Sequence, residues 1–119
     1  MIKNITKGRV ICRNEKVCLG AFAKARGLMF SRFRPMVFVM KKEGIVPLHM
    51  LFVFFPIDVL FADKNLRVVE IKEGFRPFGF YRPKHEAKYV IELAEGNAAG
   101  TGTGDMIRIT RLPLAKYLK

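Results

Sequence analysis

The sequence predicts a mainly β fold: a small single-domain antiparallel or mixed β-barrel with one or two short helices. Three observations carry the prediction. Short apolar runs rich in Val, Ile and Phe recur along the chain, such as "MVFVM" at 36–40 and "YVIELA" at 89–94. Turn residues punctuate them, as in "ADKN" at 62–65 and "EGNAAGTGTGD" at 95–105. Strands do not alternate with full helices, which argues against a doubly wound parallel sheet. A chain of 119 residues has room for one real core. No linker or repeat divides it, so residues 1–119 read as one domain.

The elements follow in order. "GRVICR" at 8–13 and "KVCLGA" at 16–21 predict a β-hairpin with a polar tip at Asn14-Glu15-Lys16. "AFAKARGLMFSRF" at 21–33 has apolar residues at 22, 25, 29 and 33, the spacing of a helical face. Gly27 weakens that helix by roughly 1 kcal/mol relative to alanine. Pro35 ends it, because the residue before a proline avoids helical geometry. "MVFVM" and "LHMLFVF" at 48–54 read as strands. Residues 57–72 read as a second hairpin, turning at Asp63-Lys64-Asn65. "EGFRPFGFYRPK" at 73–84 holds two prolines and two glycines and reads as a loop or ragged edge. "KYVIELA" at 88–94 and "DMIRITRL" at 105–112 are the last strands, with at most one helical turn between them.

Charge is the strongest compositional signal. The net charge is +12, and residues 1–42 hold 11 Lys or Arg against the single acid Glu15. Concentrated positive charge attracts anions: nucleic acid, a membrane surface or an acidic protein. Tryptophan and glutamine are absent and Ser31 is the lone serine, a composition like that of heat-adapted proteins. The N-terminus lacks a leader-like apolar run, and Pro56 and Asp58 interrupt the most hydrophobic stretch before it is long enough to span a bilayer. No transmembrane segment and a cytoplasmic location are the expectation.

Cys12 and Cys18 are too few for a metal site, with both histidines far along the chain. Two reduced thiols are the plain reading, and a disulfide across the hairpin is the alternative for a heat-adapted source. Neither a metal nor a cofactor is expected. "GTGTGD" lacks the lysine and hydroxyl of a phosphate loop and reads as a turn. "RPFGFYRP" at 76–83 matches an RNA-recognition strand only in part, and its prolines strip donors from what should be a central strand. It nonetheless sets Arg76, Arg82 and Lys84 among Phe75, Phe78, Phe80 and Tyr81, where rings can stack on bases and cations can hold phosphates. The alternative is an amphipathic flap whose rings cover the core.

Ser31 has no evident histidine and acid partner, and His49 lies in an apolar strand as a satisfied core residue would. Asp58 stands alone in "FFPIDVLFA", where a carboxylate is costly to bury without partners. Those partners are either backbone amides of a tight turn at Pro56 or an arginine such as Arg26, and structural buttressing competes with ligand binding as its role. Glu92 in "VIELA" poses the same question. On the predicted helix Phe22, Met29 and Phe33 face the core. Arg32 and Arg34 fall near its end, where cations suit the dipole.

Six segments taken together resemble the domain-of-unknown-function 192 family, also called uncharacterised protein family 0127. They are "RGLMFS" at 26–31, "PMVFVM" at 35–40, "HMLFVFFPIDVLFAD" at 49–63, "RVVEIKEGFRP" at 67–77, "YVIELAEG" at 89–96 and "GTGTGDMI" at 100–107. The resemblance covers about residues 8–112 and implies a compact β-rich domain with no assigned activity. It singles out Arg26, Gly27 and Met29, then Pro56 and Asp58, then Gly104 and Asp105. Val53-Phe54 depart from the methionine and polar residue that many members carry before the aspartate motif.

The expectation is a non-enzymatic binding module for a polyanion, nucleic acid first. Arg32, Arg34, Lys41, Lys42, Arg76, Arg82 and Lys84 are the candidate contacts. The alternative is an enzyme or small-molecule receptor with a pocket at Arg26, Asp58 and His49. A third is a partner protein docking an acidic subunit.

Overall fold

The computed structural model describes residues 1–19, 34–49 and 55–111, and the side chains of residues 18, 19 and 49 lie outside that description. The described residues form ten strands and no helix. They are β1 (Ile2–Asn4), β2 (Arg9–Cys12), β3 (Lys16–Leu19), β4 (Met36–Gly44), β5 (Leu48–His49), β6 (Ile57–Ala62), β7 (Val68–Phe75), β8 (Phe80–Tyr81), β9 (Ala87–Ala94) and β10 (Ile107–Ile109).

Three sheets result. A five-stranded sheet runs β3-β4-β9-β6-β7, a three-stranded sheet runs β10-β1-β2, and β5 pairs with β8. The mainly β, mixed-sheet expectation is met. Closure into a barrel is not, because β3 and β7 remain the two edges of the large sheet. The large sheet instead buries both of its faces. One face packs Val37, Val39, Leu60, Tyr89, Ile91 and Leu93 against Ile2, Ile11, Cys12, Ile107 and Ile109 of the small sheet. The other packs Met36, Phe38, Val59, Phe61 and Val90 with Leu48 and Phe75. This is why β6 and β9 read as near-continuous apolar runs rather than alternating ones. Tyr89, Phe38 and Phe61 are fully buried, and each of the two phenylalanines contributes about 1.5–3 kcal/mol of transfer free energy.

The first predicted hairpin is not formed. β2 pairs antiparallel with β1, whereas β3 pairs parallel with β4 at the edge of the other sheet. The chain switches sheets at Asn14, whose φ of 63° is in the left-handed region that asparagine tolerates. Glu15 is not a solvated tip. It is buried, and one carboxylate oxygen takes the N-terminal amine of Met1. With β2 and β3 in different sheets, the hairpin that would have set Cys12 across from Cys18 is absent. Cys12 is a free buried thiol, and the Cys18 side chain lies outside the described residues. Burial, then the charge of Glu15, push the Cys12 thiol up to about 11.

The second hairpin forms as predicted. β6 and β7 pair antiparallel, and Asp63 Oδ1 accepts from the backbone N–H groups of Asn65 and Arg67 at 2.9 and 3.0 Å. β7 continues to Phe75, three residues beyond the predicted end. Residues 95–103 make successive tight turns rather than a helical turn: Asn97, Ala99 and Thr101 each donate to a carbonyl three residues back. The predicted helix at 22–33 and residues 50–54 of the fourth predicted strand lie outside the described residues.

Candidate functional site

Half of the acidic residues turn inward. Glu15, Asp58, Glu70, Glu92 and Asp105 are all buried, out of ten acids in the chain. Each has a local reason. Asp58 sits in the buried strand β6, beside a register shift in its pairing with β7 and the turn that follows β9. Its Oδ1 accepts from Gly74 N at 2.9 Å, and its Oδ2 accepts from Gly96 N at 2.9 Å and Ala98 N at 3.0 Å. A carboxylate holding three amides this way ties β7 and the 95–98 turn to the core; its amide partners lie there and not in the tight turn at Pro56 expected from the sequence. Gly74 has a φ of 61°, which lets its N–H face Asp58.

Asp105 performs the same task at the other end of that loop. Its Oδ2 accepts from Lys7 Nζ at 2.8 Å, Asn4 Nδ2 at 2.9 Å and Gly102 N at 2.9 Å. Lys7 first, then Asn4 and the Gly102 amide, lower its carboxyl to about 2 against the opposing effect of burial. Gly104, with φ at 92°, donates to Val68 O at 2.7 Å, and its own carbonyl accepts from Arg67 Nη1 at 2.8 Å. The glycine-rich segment thus spends amides on Asp58, Asp105 and turns, as its reading as a turn expects. Glu92 pairs in register with Met36 and Val59, both of the second core cluster.

Glu70 was not foreseen. Alternation in "LRVVEIK" gives no hint of it, because the register slips between Phe61 and Ala62: Phe61 faces Glu70 while Ala62 faces Val68. The extra residue on β7 is a bulge, which re-aims neighbouring side chains. Glu70 then meets the 76–86 segment. One carboxylate oxygen accepts from the Tyr81 hydroxyl. The other accepts from Lys84 N at 2.8 Å, His85 N at 3.0 Å and His85 Nδ1 at 2.8 Å. Since ionised Glu70 is acceptor-only, Nδ1 carries the imidazole proton in this contact. Burial pushes the Glu70 carboxyl up, but the bonds from Tyr81, His85 and the two amides outweigh it and hold it below its ordinary value. The bond to Glu70, then burial, raise the Tyr81 phenol to about 12. The Tyr81 ring packs against Phe61 and Phe75, with Lys72 Nζ 5.3 Å above its centre.

The segment so anchored splits its aromatics. Phe75 is buried and Tyr81 half-buried, as rings covering a core should be. Phe78 and Phe80 are 62% and 61% exposed. Arg76, Arg82 and Lys84 are exposed beside them. His49 reaches this segment through its backbone, paired with Phe80. Lys41 and Lys42 are exposed near the end of β4, where Gly44 pairs with Ala87. Arg34 lies before the other end of β4 and donates from Nε to Asn14 O at 2.9 Å. Arg26, Gly27, Met29 and Arg32 lie outside the described residues, so the expected Arg26–Asp58 pairing does too. On the small sheet, Lys3 and Arg108 are exposed and directly opposite one another.

No group of three or more metal-ligating side chains occurs among the described residues. No described helix is long and apolar enough to cross a membrane. Residues 6–109 match the model of the DUF192 family, described as "Uncharacterized ACR". A UPF0127 protein of Pyrococcus furiosus is 32% identical over 92% of this chain and 97% of its own length. One of Thermococcus sibiricus is 38% identical over 81% of this chain, a match that spans 64% of that longer relative. Both relatives come from thermophilic archaea. Two crystal structures share the fold. A candidate transcription regulator of Sinorhizobium meliloti superposes with a TM-score of 0.82 at 23% identity, covering 93% of each chain. A protein of unknown function from Novosphingobium aromaticivorans gives 0.79 at 22% identity, over 91% of this chain and 81% of that one.

Proposed function

The chain belongs to the DUF192 family of uncharacterised proteins, and from that premise we propose that it is a non-enzymatic binding module for a polyanion, nucleic acid first. One observation carries the reading. The acids are withdrawn from the surface and the bases are not: five of ten acids are buried, whereas Lys88 is the one buried base among the described residues. A phosphate backbone at the surface therefore meets lysines and arginines at contact distance far more often than carboxylates. Lys3 and Arg108 sharpen the point. Like charges directly opposite across an antiparallel pair destabilise the sheet, and neither has a carboxylate partner among the described residues. An anion bridging the two would relieve that repulsion. The pocket reading is disfavoured by Asp58, whose oxygens are committed to three amides.

Binding of this kind releases counterions, so affinity falls linearly on a log–log plot against salt, by about 0.7 per phosphate neutralised on a single strand and about 0.9 on duplex DNA. Fluorescence anisotropy with a labelled RNA and a labelled DNA duplex, titrated across salt, tests it. A steep slope that flattens in Lys3→Glu/Arg108→Glu supports the proposal. Absence of binding at low salt, or a slope near zero, removes it.

A further inference from the structure

We propose that residues 76–84 are a stacking platform for unpaired bases, so that the polyanion taken by this chain is a single strand. The inference rests on the polyanion reading and narrows it to one substrate class.

Phe78 and Phe80 are largely exposed, and with Ile5 they are the exposed large hydrophobics among the described residues. Phe78 also holds a φ of 60°, a left-handed conformation rare for a bulky residue. Such a conformation adds backbone strain on the order of 1–2 kcal/mol. Strain held at a largely exposed aromatic fits a role for that residue at the surface.

The surroundings hold the backbone that carries both rings. Gly79 N donates to Arg76 O at 3.1 Å, closing a tight turn, and a Cβ at Gly79 would stand 2.9 Å from that carbonyl. Phe80 and Tyr81 pair with His49 and Leu48, and Leu48 is buried. Glu70 then clamps Tyr81 and the amides of Lys84 and His85. The rings are thus presented from a fixed scaffold, which lowers the ordering cost of binding. Arg76, Arg82 and Lys84 supply positive charge next to them, with Glu73 and Glu86 as the exposed acids at either end. Rings with flanking cations match a nucleotide chain, whose bases offer flat faces and whose phosphates alternate with them. A duplex keeps its base faces stacked inside and offers the rings nothing. An anionic membrane is less well matched, because interfacial anchors bury a broad apolar face, and here the exposed large apolar side chains of the segment are two phenylalanines flanked by Arg76, Arg82 and Lys84.

The test uses the full chain with three probes: a labelled uridine oligonucleotide, a duplex of equal length, and phosphatidylserine vesicles. The wild type is expected to prefer the single strand. Phe78→Gly keeps the left-handed turn while deleting its ring, and Phe80→Ala deletes the second ring. Together they are expected to cost about tenfold or more on the single strand, as lost base–ring stacking does, and to leave duplex binding unchanged. An unaltered thermal midpoint shows that the fold is intact. Equal affinity for both nucleic acids, or an equal loss on both, overturns the platform while leaving the polyanion reading in place. Ring-dependent vesicle binding without ring-dependent single-strand binding reassigns the surface to lipid and overturns it. Binding to neither nucleic acid overturns both readings.

Discussion

Asp58 Oδ1 accepts the Gly74 amide proton at 2.9 Å, joining the buried strand β6 to a left-handed residue on the edge strand β7. With Gly96 and Ala98 on its other oxygen, the carboxylate ties an irregular point of β7 and the 95–98 turn together. Removing it strands three amides in or near the core, each costing about 1–3 kcal/mol when unsatisfied. Asp58→Ala is therefore expected to lose at least about 3 kcal/mol in urea unfolding. Asp58→Asn keeps one acceptor oxygen and should lose less. A loss under about 1 kcal/mol in the alanine variant, within the range of ordinary surface substitutions and a little beyond, would contradict the buttress.

Asp105 gives a pH signature of definite sign. Its carboxyl is lowered from 3.8 to about 2 by Lys7 first, then by Asn4 and Gly102. A group held below its unfolded value stabilises the fold above that value, and the contribution disappears as protons bind the native state. The urea midpoint should therefore fall as pH drops from about 4 toward 2. Glu70, also lowered, acts in the same direction. In Asp105→Asn the native protein starts less stable at neutral pH, and its midpoint should change less across that window. An identical pH profile in the variant would show that Asp105 is not the source.

What the sequence disclosed, and what it hid, follows from the range of each interaction. Asp58 was legible because a lone acid in an apolar run has to find partners. The β6–β7 hairpin was legible because Asp63 serves its own turn, with bonds that span two and four residues. The 8–21 hairpin was misread for the opposite reason. Glu15 looks like a solvated tip by local polarity, yet its partner is the chain's first amine. β3 finds a parallel neighbour beginning at Met36. Parallel strands need a crossover of a dozen or more residues, so no local pattern announces them. Glu70 was hidden by a single-residue bulge, which breaks the two-residue period on which any reading of faces depends. β1, three residues long, was too short to carry a pattern of its own.

Gly100 and Arg9 make a packing prediction. Gly100 has a φ of 86°, and a Cβ there would fall 1.7 Å from Arg9 Nη1, which donates to Ala99 O at 2.7 Å. Gly96, with φ at 93°, has open space at the same point. Gly96→Ala should thus show only the backbone cost of the left-handed region, about 1–2 kcal/mol. Gly100→Ala should cost more, since Arg9 has to be expelled as well. Arg9→Ala in the Gly100→Ala background should recover the difference. Equal losses at the two glycines, measured by thermal unfolding, would mean that the arginine moves aside freely.

Tyr81 and Glu70 can be read by light. The Tyr81 phenol is raised to about 12, chiefly by its bond to Glu70, and burial raises Tyr89 as well. Phenolate absorbs near the red edge of the tyrosine band, so an alkaline titration counts ionised rings. At a pH near 11 the folded protein is expected to keep Tyr81 protonated. Glu70→Gln removes the negative charge that disfavours Tyr81 phenolate. Its titration should gain one ionised ring at lower pH, while Tyr89 stays as it was. Because a raised phenol stabilises the native state only while protonated, the Tyr81 contribution is present below about pH 10 and lost between about 10 and 12. The alkaline unfolding midpoint of the wild type should drop through that window more steeply than that of Glu70→Gln. If both proteins titrate identically, Glu70 does not hold the Tyr81 proton, and the clamp on the 76–86 segment rests on the Lys84 and His85 amides and His85 Nδ1.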